Sequence, residues 1–176
     1  NQRDSVGVAI KYGARNKLFE REDWQLNYPT EEGGYRLPVL SLRHQRKLMM
    51  YLIENPNSRN IGILLALCTG MRIGEVCALQ WTDVVLSQRI LRVHKTAGRI
   101  YNCDLRTTER ILSSPKTKYS YREIPISKQL FEALSIVKKQ SPSAFVVGTS
   151  IHAVDPRTYR DSFSRLLKRL QIPPIV

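Results

Sequence analysis

The sequence lacks the features that would place the chain in a membrane, secreted or metal-binding class. No apolar run approaches the roughly 20 residues that span a bilayer, and the first ten residues carry charge early without a long apolar core. We therefore expect neither a transmembrane helix nor a signal peptide. The three cysteines, Cys68, Cys77 and Cys103, have no metal-ligand spacing. Because their number is odd and the first two lie in apolar segments, we expect buried, unpaired thiols in a reducing, cytosolic setting.

Acidic residues are also scarce. The 176 residues include 15 Asp and Glu against 28 Lys and Arg, which gives a formal net charge of +13. Such an excess is typical of domains that bind nucleic acid, and a bias that serves solubility alone is the alternative. No basic amphipathic helix stands apart from the core pattern, so a membrane surface is not an expected partner. Hydrophobic residues make up 42% of the chain, which is enough to bury a core.

The apolar pattern divides the chain near residue 35. Residues 5–20 follow a helical period, whereas the next 20 carry two prolines, a pair of glycines and no period, as linkers do. We expect residues 1–35 to be the end of one domain plus a linker, and residues 36–176 to form a second domain.

Apolar spacing and cap residues predict five helices in residues 36–176. Gly70 stands where a glycine ends the second helix, and Pro56 separates that helix from the first. The spacing places Cys68 on the buried face of the second helix, together with Ile61 and Leu64. The helices are predicted to begin after Ser41, after Ser58, at Arg72, after Ser127 and after Asp155.

Between the third and fourth helices the period changes from helix to strand. Residues 84–95 predict one β-ribbon, and residues 110–126 predict a second ribbon with its tip at 115–120. Residues 96–108 are polar and irregular and are not assigned to an element. Together these elements predict an α+β fold that is mostly helical, with a small antiparallel β-sheet of ribbons on one side.

Arg72 is a permanent charge between two apolar segments, and Glu75 follows it by three residues. Three interpretations fit this pair. It is a surface pair that contributes roughly a few tenths of a kcal/mol, a buried structural pair, or an anion site. In an anion site the planar guanidinium offers paired donors that match a phosphate, and the carboxylate holds it in position.

The stretch LLALCTGMRIGEVCALQWTDV, residues 64–84, resembles the first arginine box of the tyrosine recombinases, the phage-integrase family. The resemblance implies that Arg72 holds the scissile phosphate of a DNA strand and that Glu75 supports it. It also implies the fold of the family's catalytic domain for residues 36–176 and the end of its core-binding domain for residues 1–35. The matching positions are Thr69, Gly70, Arg72, Gly74, Glu75, Leu79, Trp81 and Asp83.

A second matching stretch is SSPKTKYSYREIPI, residues 113–126. By itself, a lysine-rich hairpin tip is usually an ordinary solvated turn. The family places a catalytic lysine on such a hairpin, before an Arg-X-X-Pro strand that corresponds here to Arg122–Pro125. The resemblance therefore implies that Lys116 is the general acid that protonates the leaving 5′-oxygen, with Lys118 as the alternative.

The family's second box, His-X-X-Arg followed by the nucleophilic tyrosine, is absent from these 176 residues. The helix that resembles the one before that box carries a basic run, which we interpret as a grip on flanking phosphates or as a solvated helix face. Without the second box we expect Phe163, Leu166 and Leu170 to form an exposed apolar patch. The basic run is Arg157, Arg160, Lys168 and Arg169.

The resemblance implies a site-specific recombinase or integrase of a phage or mobile element, which cuts and rejoins DNA through a 3′-phosphotyrosyl intermediate. It implies double-stranded DNA as partner, a tetramer on DNA for a full-length protein, a bacterial cytosol near the nucleoid, and neither metal nor other cofactor. The 176 residues alone are expected to be inactive. The alternatives are a non-catalytic DNA-binding module derived from a recombinase and, more remotely, a basic RNA- or protein-binding domain.

Overall fold

The computed structural model describes residues 12, 13, 15, 16, 39–103, 106–114, 121–148 and 152–175. The chain divides into two compact units, Asn1–Arg36 and Leu37–Val176. In the first unit, the backbone N–H of Asn16 donates to the carbonyl of Tyr12 at 3.0 Å, as in an α-helix. The assignment of this unit to the end of a core-binding domain stays a prediction.

The described residues of the second unit form five α-helices, close to the predicted bounds. The predicted caps at Ser41, Ser127 and Asp155 are confirmed, since each side chain accepts a hydrogen bond from a backbone N–H in the first turn of its helix. The helices are α1 (Leu42–Glu54), α2 (Asn60–Thr69), α3 (Ile73–Ala78), α4 (Lys128–Gln140) and α5 (Pro156–Arg169).

Two local predictions on α2 are wrong. Asn57, and not Ser58, satisfies the start of the helix, because its Oδ1 accepts from the backbone N–H groups of Arg59 and Asn60, both at 3.0 Å. Cys68 is exposed, because the buried residues of α2 end at Leu65, before the last turn of the helix.

The strands form two antiparallel sheets among the described residues. The predicted first ribbon is confirmed by the pairing of β1 with β2, but the predicted second ribbon is wrong. Its two halves belong to different sheets, because β4 pairs with β3 and β5 pairs with β2. The strands are β1 (Val84–Val85), β2 (Ile90–Val93), β3 (Thr96–Asn102), β4 (Thr107–Ser113) and β5 (Arg122–Pro125).

One buried core cluster contains residues of all five helices together with Val84, Leu91 and Val93 of the β1–β2–β5 sheet. α2 packs against α1 and α4, and α3 packs against α5 and β3. The expected exposed patch on α5 is wrong, because Leu166 is buried and both Phe163 and Leu170 are partly buried against the core. Among the described helices, none has the length and apolar character needed to cross a bilayer.

Candidate functional site

Arg72 occupies a tight connection between α2 and α3. Gly70 ends α2 with a φ of 67°, the left-handed conformation that glycine adopts without strain. Met71 is buried, whereas the side chain of Arg72 is 77% exposed at the start of α3. The buried Met71 therefore anchors the connection, while the guanidinium of Arg72 faces solvent.

Glu75 is almost completely buried, with 4% of its side chain exposed. Its Oε2 accepts from the backbone N–H of Arg72 at 2.8 Å, and its Oε1 accepts from Nη1 of the same residue at 3.3 Å. The carboxylate thus holds both the backbone and the side chain of Arg72. The anion-site interpretation requires this contact, and the binding of an anion there stays a prediction.

Arg122 is the second cation on this carboxylate. From the first position of β5, its Nη1 and Nη2 donate to Oε1 and Oε2 of Glu75 at 3.1 and 2.8 Å. Sequence reasoning noticed Arg122 only as part of an Arg-X-X-Pro strand. The interpretation of Arg72 and Glu75 as a buried pair was the one sign of a second cation, because a buried carboxylate needs several donors.

The pKa of the Glu75 carboxyl reflects opposing influences. Burial raises this pKa, but hydrogen bonds from Arg122 and from the backbone of Arg72, together with the charge of Arg122, lower it by more than burial raises it. The pKa therefore lies below its usual range. The carboxylate is therefore ionised at neutral pH. Two guanidiniums share its single negative charge, so the cluster carries a net charge of +1 and suits an anionic ligand.

Other residues of the arginine box stabilise the segment that follows α3. Asp83 is buried, and its carboxylate binds the backbone N–H of Gln80 at 3.1 Å and Nε2 of His94 at 2.7 Å. Leu79 is buried and Trp81 is partly buried against the core. These positions fix the segment that follows α3.

The four residues predicted to bind DNA phosphates lie on α5; they are Arg157, Arg160, Lys168 and Arg169. All four are exposed, at positions that follow the solvent face of the helix. Arg169 also lies over the ring of Tyr51, 5.0 Å from its centroid, and donates a hydrogen bond to the hydroxyl of that tyrosine. The described contacts do not bring these side chains into the Arg72 cluster, so their role stays a prediction.

Lys116 and Lys118 lie outside the described residues. Among the tyrosines that are described, Tyr159 is unsuited to be a nucleophile. Burial raises the pKa of its hydroxyl, which donates to the carbonyl of Arg59 at 2.6 Å and packs against Gly62, where a Cβ would lie 2.4 Å from it. Within the described residues, no group of three His, Cys, Asp or Glu side chains could hold a metal ion.

The comparisons with known protein sequences agree on one family. The sequence profile of the phage integrase family matches residues 40–174. The ICEBs1 integrase of Bacillus subtilis (strain 168) is 30% identical over 112 residues, covering 59% of this chain and 29% of that protein. A tyrosine recombinase XerC-like protein of Caldanaerobacter subterraneus is 27% identical over 132 residues, covering 62% of this chain and 33% of that protein. The chain thus spans about a third of the length of these curated relatives.

Solved structures share the fold. The Tn1549 transposon integrase in complex with transposon right end DNA has a TM-score of 0.71 at 20% identity, covering 92% of this chain and 54% of that one. A lambda integrase tetramer bound to a Holliday junction has a TM-score of 0.61 at 15% identity, covering 98% and 47%.

Proposed function

Because the chain belongs to the phage integrase family, we propose that its described site is the phosphate-binding half of a DNA strand-transferase. The observation that carries this proposal is the exposed guanidinium of Arg72, held by the buried Glu75. An exposed guanidinium offers two parallel donors to the non-bridging oxygens of a phosphodiester. Donors placed in advance stabilise the charge that develops on these oxygens during strand transfer.

The proposed reaction is attack of a tyrosine hydroxyl on the DNA phosphate. The phosphorus–oxygen bond to the 5′-oxygen breaks, and a 3′-phosphotyrosyl bond conserves the energy of the linkage. Lys116, or alternatively Lys118, donates the proton that the leaving 5′-oxygen takes up. The reverse attack by a 5′-hydroxyl rejoins the strand, which makes the complete protein a recombinase or integrase of a phage or mobile element.

Double-stranded DNA is the proposed partner. The net charge of +13 supports this proposal, and the exposed basic residues of α5 are candidates to bind phosphates that flank the scissile one. Two structural relatives carry DNA, and one of these is a tetramer on a Holliday junction. We accordingly propose assembly of the complete protein into a tetramer on DNA.

The 176 residues contain no His-X-X-Arg and no tyrosine in the context that introduces the family's nucleophile. We propose that they bind DNA without cleaving it, and that cleavage requires the second box. A non-catalytic DNA-binding module derived from a recombinase is the second candidate. The reading frame after the codon of Val176 discriminates between the two candidates.

The test is a nicked suicide duplex that carries the DNA flanking the gene, with covalent adducts resolved on a denaturing gel. A protein in which these residues are followed by the second arginine box and tyrosine should form an adduct, whereas the 176 residues alone should not. An adduct formed by the 176 residues alone would show that one of their eight tyrosines is the nucleophile, and would overturn this assignment of the site.

A further inference from the structure

Glu75 has two guanidinium partners that hold it in different ways. Arg122 binds both carboxylate oxygens with two nitrogens, whereas the side chain of Arg72 contributes a single, longer hydrogen bond of 3.3 Å. The side chain of Arg72 is 77% exposed and that of Arg122 is 30% exposed. The inner arginine therefore carries most of the contact with the buried carboxylate, and the outer one is left mainly in solvent.

This division has a physical consequence for the outer arginine. A carboxylate that is 4% exposed needs donors for both oxygens, and an unpaired buried charge is costly. If Arg122 were absent, Arg72 would be the remaining guanidinium of the cluster, and Glu75 would draw its paired donors inward. A guanidinium turned inward in this way would present fewer N–H groups to a ligand in solvent.

We propose that Arg122 is a positioning residue for the phosphate site. By saturating the Glu75 carboxylate, it keeps the guanidinium of Arg72 directed outward, free to bind a DNA phosphate. This inference rests on the proposed function, because the phosphate is the ligand for which Arg72 is held ready.

The place of Arg122 in the fold adds a second coupling. Arg122 begins β5 and pairs in register with Val93 of β2, so its backbone is fixed by the sheet. In the chain it lies four residues after Lys118 and six after Lys116. The ion pair between Arg122 and Glu75 therefore ties the start of α3 to the start of β5, which follows both candidate general acids in the sequence.

The test is the affinity of the 176-residue chain for a fluorescent DNA duplex at one fixed salt concentration. The variants are Arg122→Gln, Glu75→Gln and the double variant. The matched control is Arg92→Gln, which removes an arginine of the neighbouring strand β2 that pairs with the exposed Glu123 at 3.1 Å. Removing either arginine changes the net charge equally, so a difference between these variants reports on position and not on charge alone.

We expect Arg122→Gln to weaken DNA binding by about tenfold, and Arg92→Gln by about twofold or less. The double variant should bind DNA more tightly than Arg122→Gln alone, because a neutral amide in place of the Glu75 carboxylate no longer draws Arg72 inward. A merely structural role would weaken DNA binding only as far as it unfolds the variant, so the folded fraction of each variant is measured under the binding conditions. Glu123→Gln in the Arg122→Gln background removes the same charge from an exposed pair and should restore less affinity than Glu75→Gln does. A Glu75→Gln substitution that fails to restore affinity overturns the proposal, as does unchanged binding by Arg122→Gln.

Arg122→Lys covers the case in which Arg122→Gln does not fold. Lysine keeps the charge but loses the two-pronged contact with the carboxylate, so binding should weaken by about threefold; binding equal to that of the unchanged chain overturns the inference. The proposed function fails separately. If the unchanged chain does not bind duplex DNA, or if Arg72→Gln binds as tightly as the unchanged chain, the fault lies with the phosphate site itself.

Discussion

A Cβ atom on Gly74 would lie 2.7 Å from the carbonyl oxygen of Ala97 and 2.5 Å from Oγ1 of Thr96. Helix α3 therefore runs directly against the backbone of β3, at a distance that admits no side chain. Gly74 stands between Arg72 and Glu75 in the chain. The close approach thus fixes the position of α3, and with it the burial of Glu75 and the exposure of Arg72.

Gly74→Ala should destabilise the fold. The new methyl group would press on backbone that belongs to a paired strand, so the free energy of unfolding should fall by about 1–3 kcal/mol. The measurement is chemical denaturation. Gly98→Ala on β3 is the matched control, because a Cβ there meets nothing within 4 Å, and it should change stability by less than about 0.5 kcal/mol. Equal stabilities of the two variants would contradict the packing described.

Glu75→Gln should destabilise the protein in a pH-dependent way. The folded-state pKa of Glu75 lies below its ordinary value of 4.5, because hydrogen bonds from Arg122 and Arg72 outweigh the effect of burial. A lowered pKa means that the ionised form stabilises the fold above the unfolded-state pKa, and that this contribution is lost as the pH falls through the folded-state pKa. The variant should therefore be about 1–3 kcal/mol less stable at pH 7, with a gap that narrows below pH 4.5.

The measurement is denaturation of both proteins across this pH range. Glu123→Gln is the control, because the Arg92–Glu123 pair is exposed on both sides and is expected to contribute little at any pH. A gap for Glu75→Gln that is equally wide at pH 3 and pH 7 would show that the ionised carboxylate does not stabilise the fold.

Substitution of the two candidate general acids should separate their roles. In a protein that joins these residues to a second arginine box and tyrosine, one of Lys116→Ala and Lys118→Ala should slow cleavage by about 100-fold or more. The other should mainly weaken DNA binding. A substrate with a 5′-sulfur leaving group needs little protonation, so it should restore cleavage by the catalytic variant alone. We expect Lys116 to be the rescued position, and rescue at Lys118 instead would reverse the assignment.

The helices were predictable because their determinants are local. A cap such as Asp155 followed by Pro156, or a glycine such as Gly70 after an apolar run, fixes a boundary within a few residues of sequence. The same locality made the Arg72–Glu75 contact predictable, since three residues separate the partners on one helical turn.

The strand pairing was not predictable, because register between distant strands has no local determinant. Polar residues 96–102 form β3 by pairing with β4, and Gly98 faces Ile111 there. The prediction instead joined β4 to β5 because they are near in sequence. The same non-local pairing brings Arg122 to Glu75 across 47 positions of the chain, which is why its contact with the carboxylate was missed.

The central claim is that the Arg72 guanidinium binds a DNA phosphate, and the salt dependence of duplex binding tests it most directly. Fluorescence anisotropy from about 50 to 200 mM salt should show that the logarithm of the association constant falls linearly with the logarithm of the salt concentration. Arg72→Gln should reduce the slope by about one unit, whereas Arg92→Gln should leave it unchanged, and duplex DNA should compete better than RNA. A flat salt dependence, a preference for RNA, or an unchanged slope for Arg72→Gln would contradict the claim.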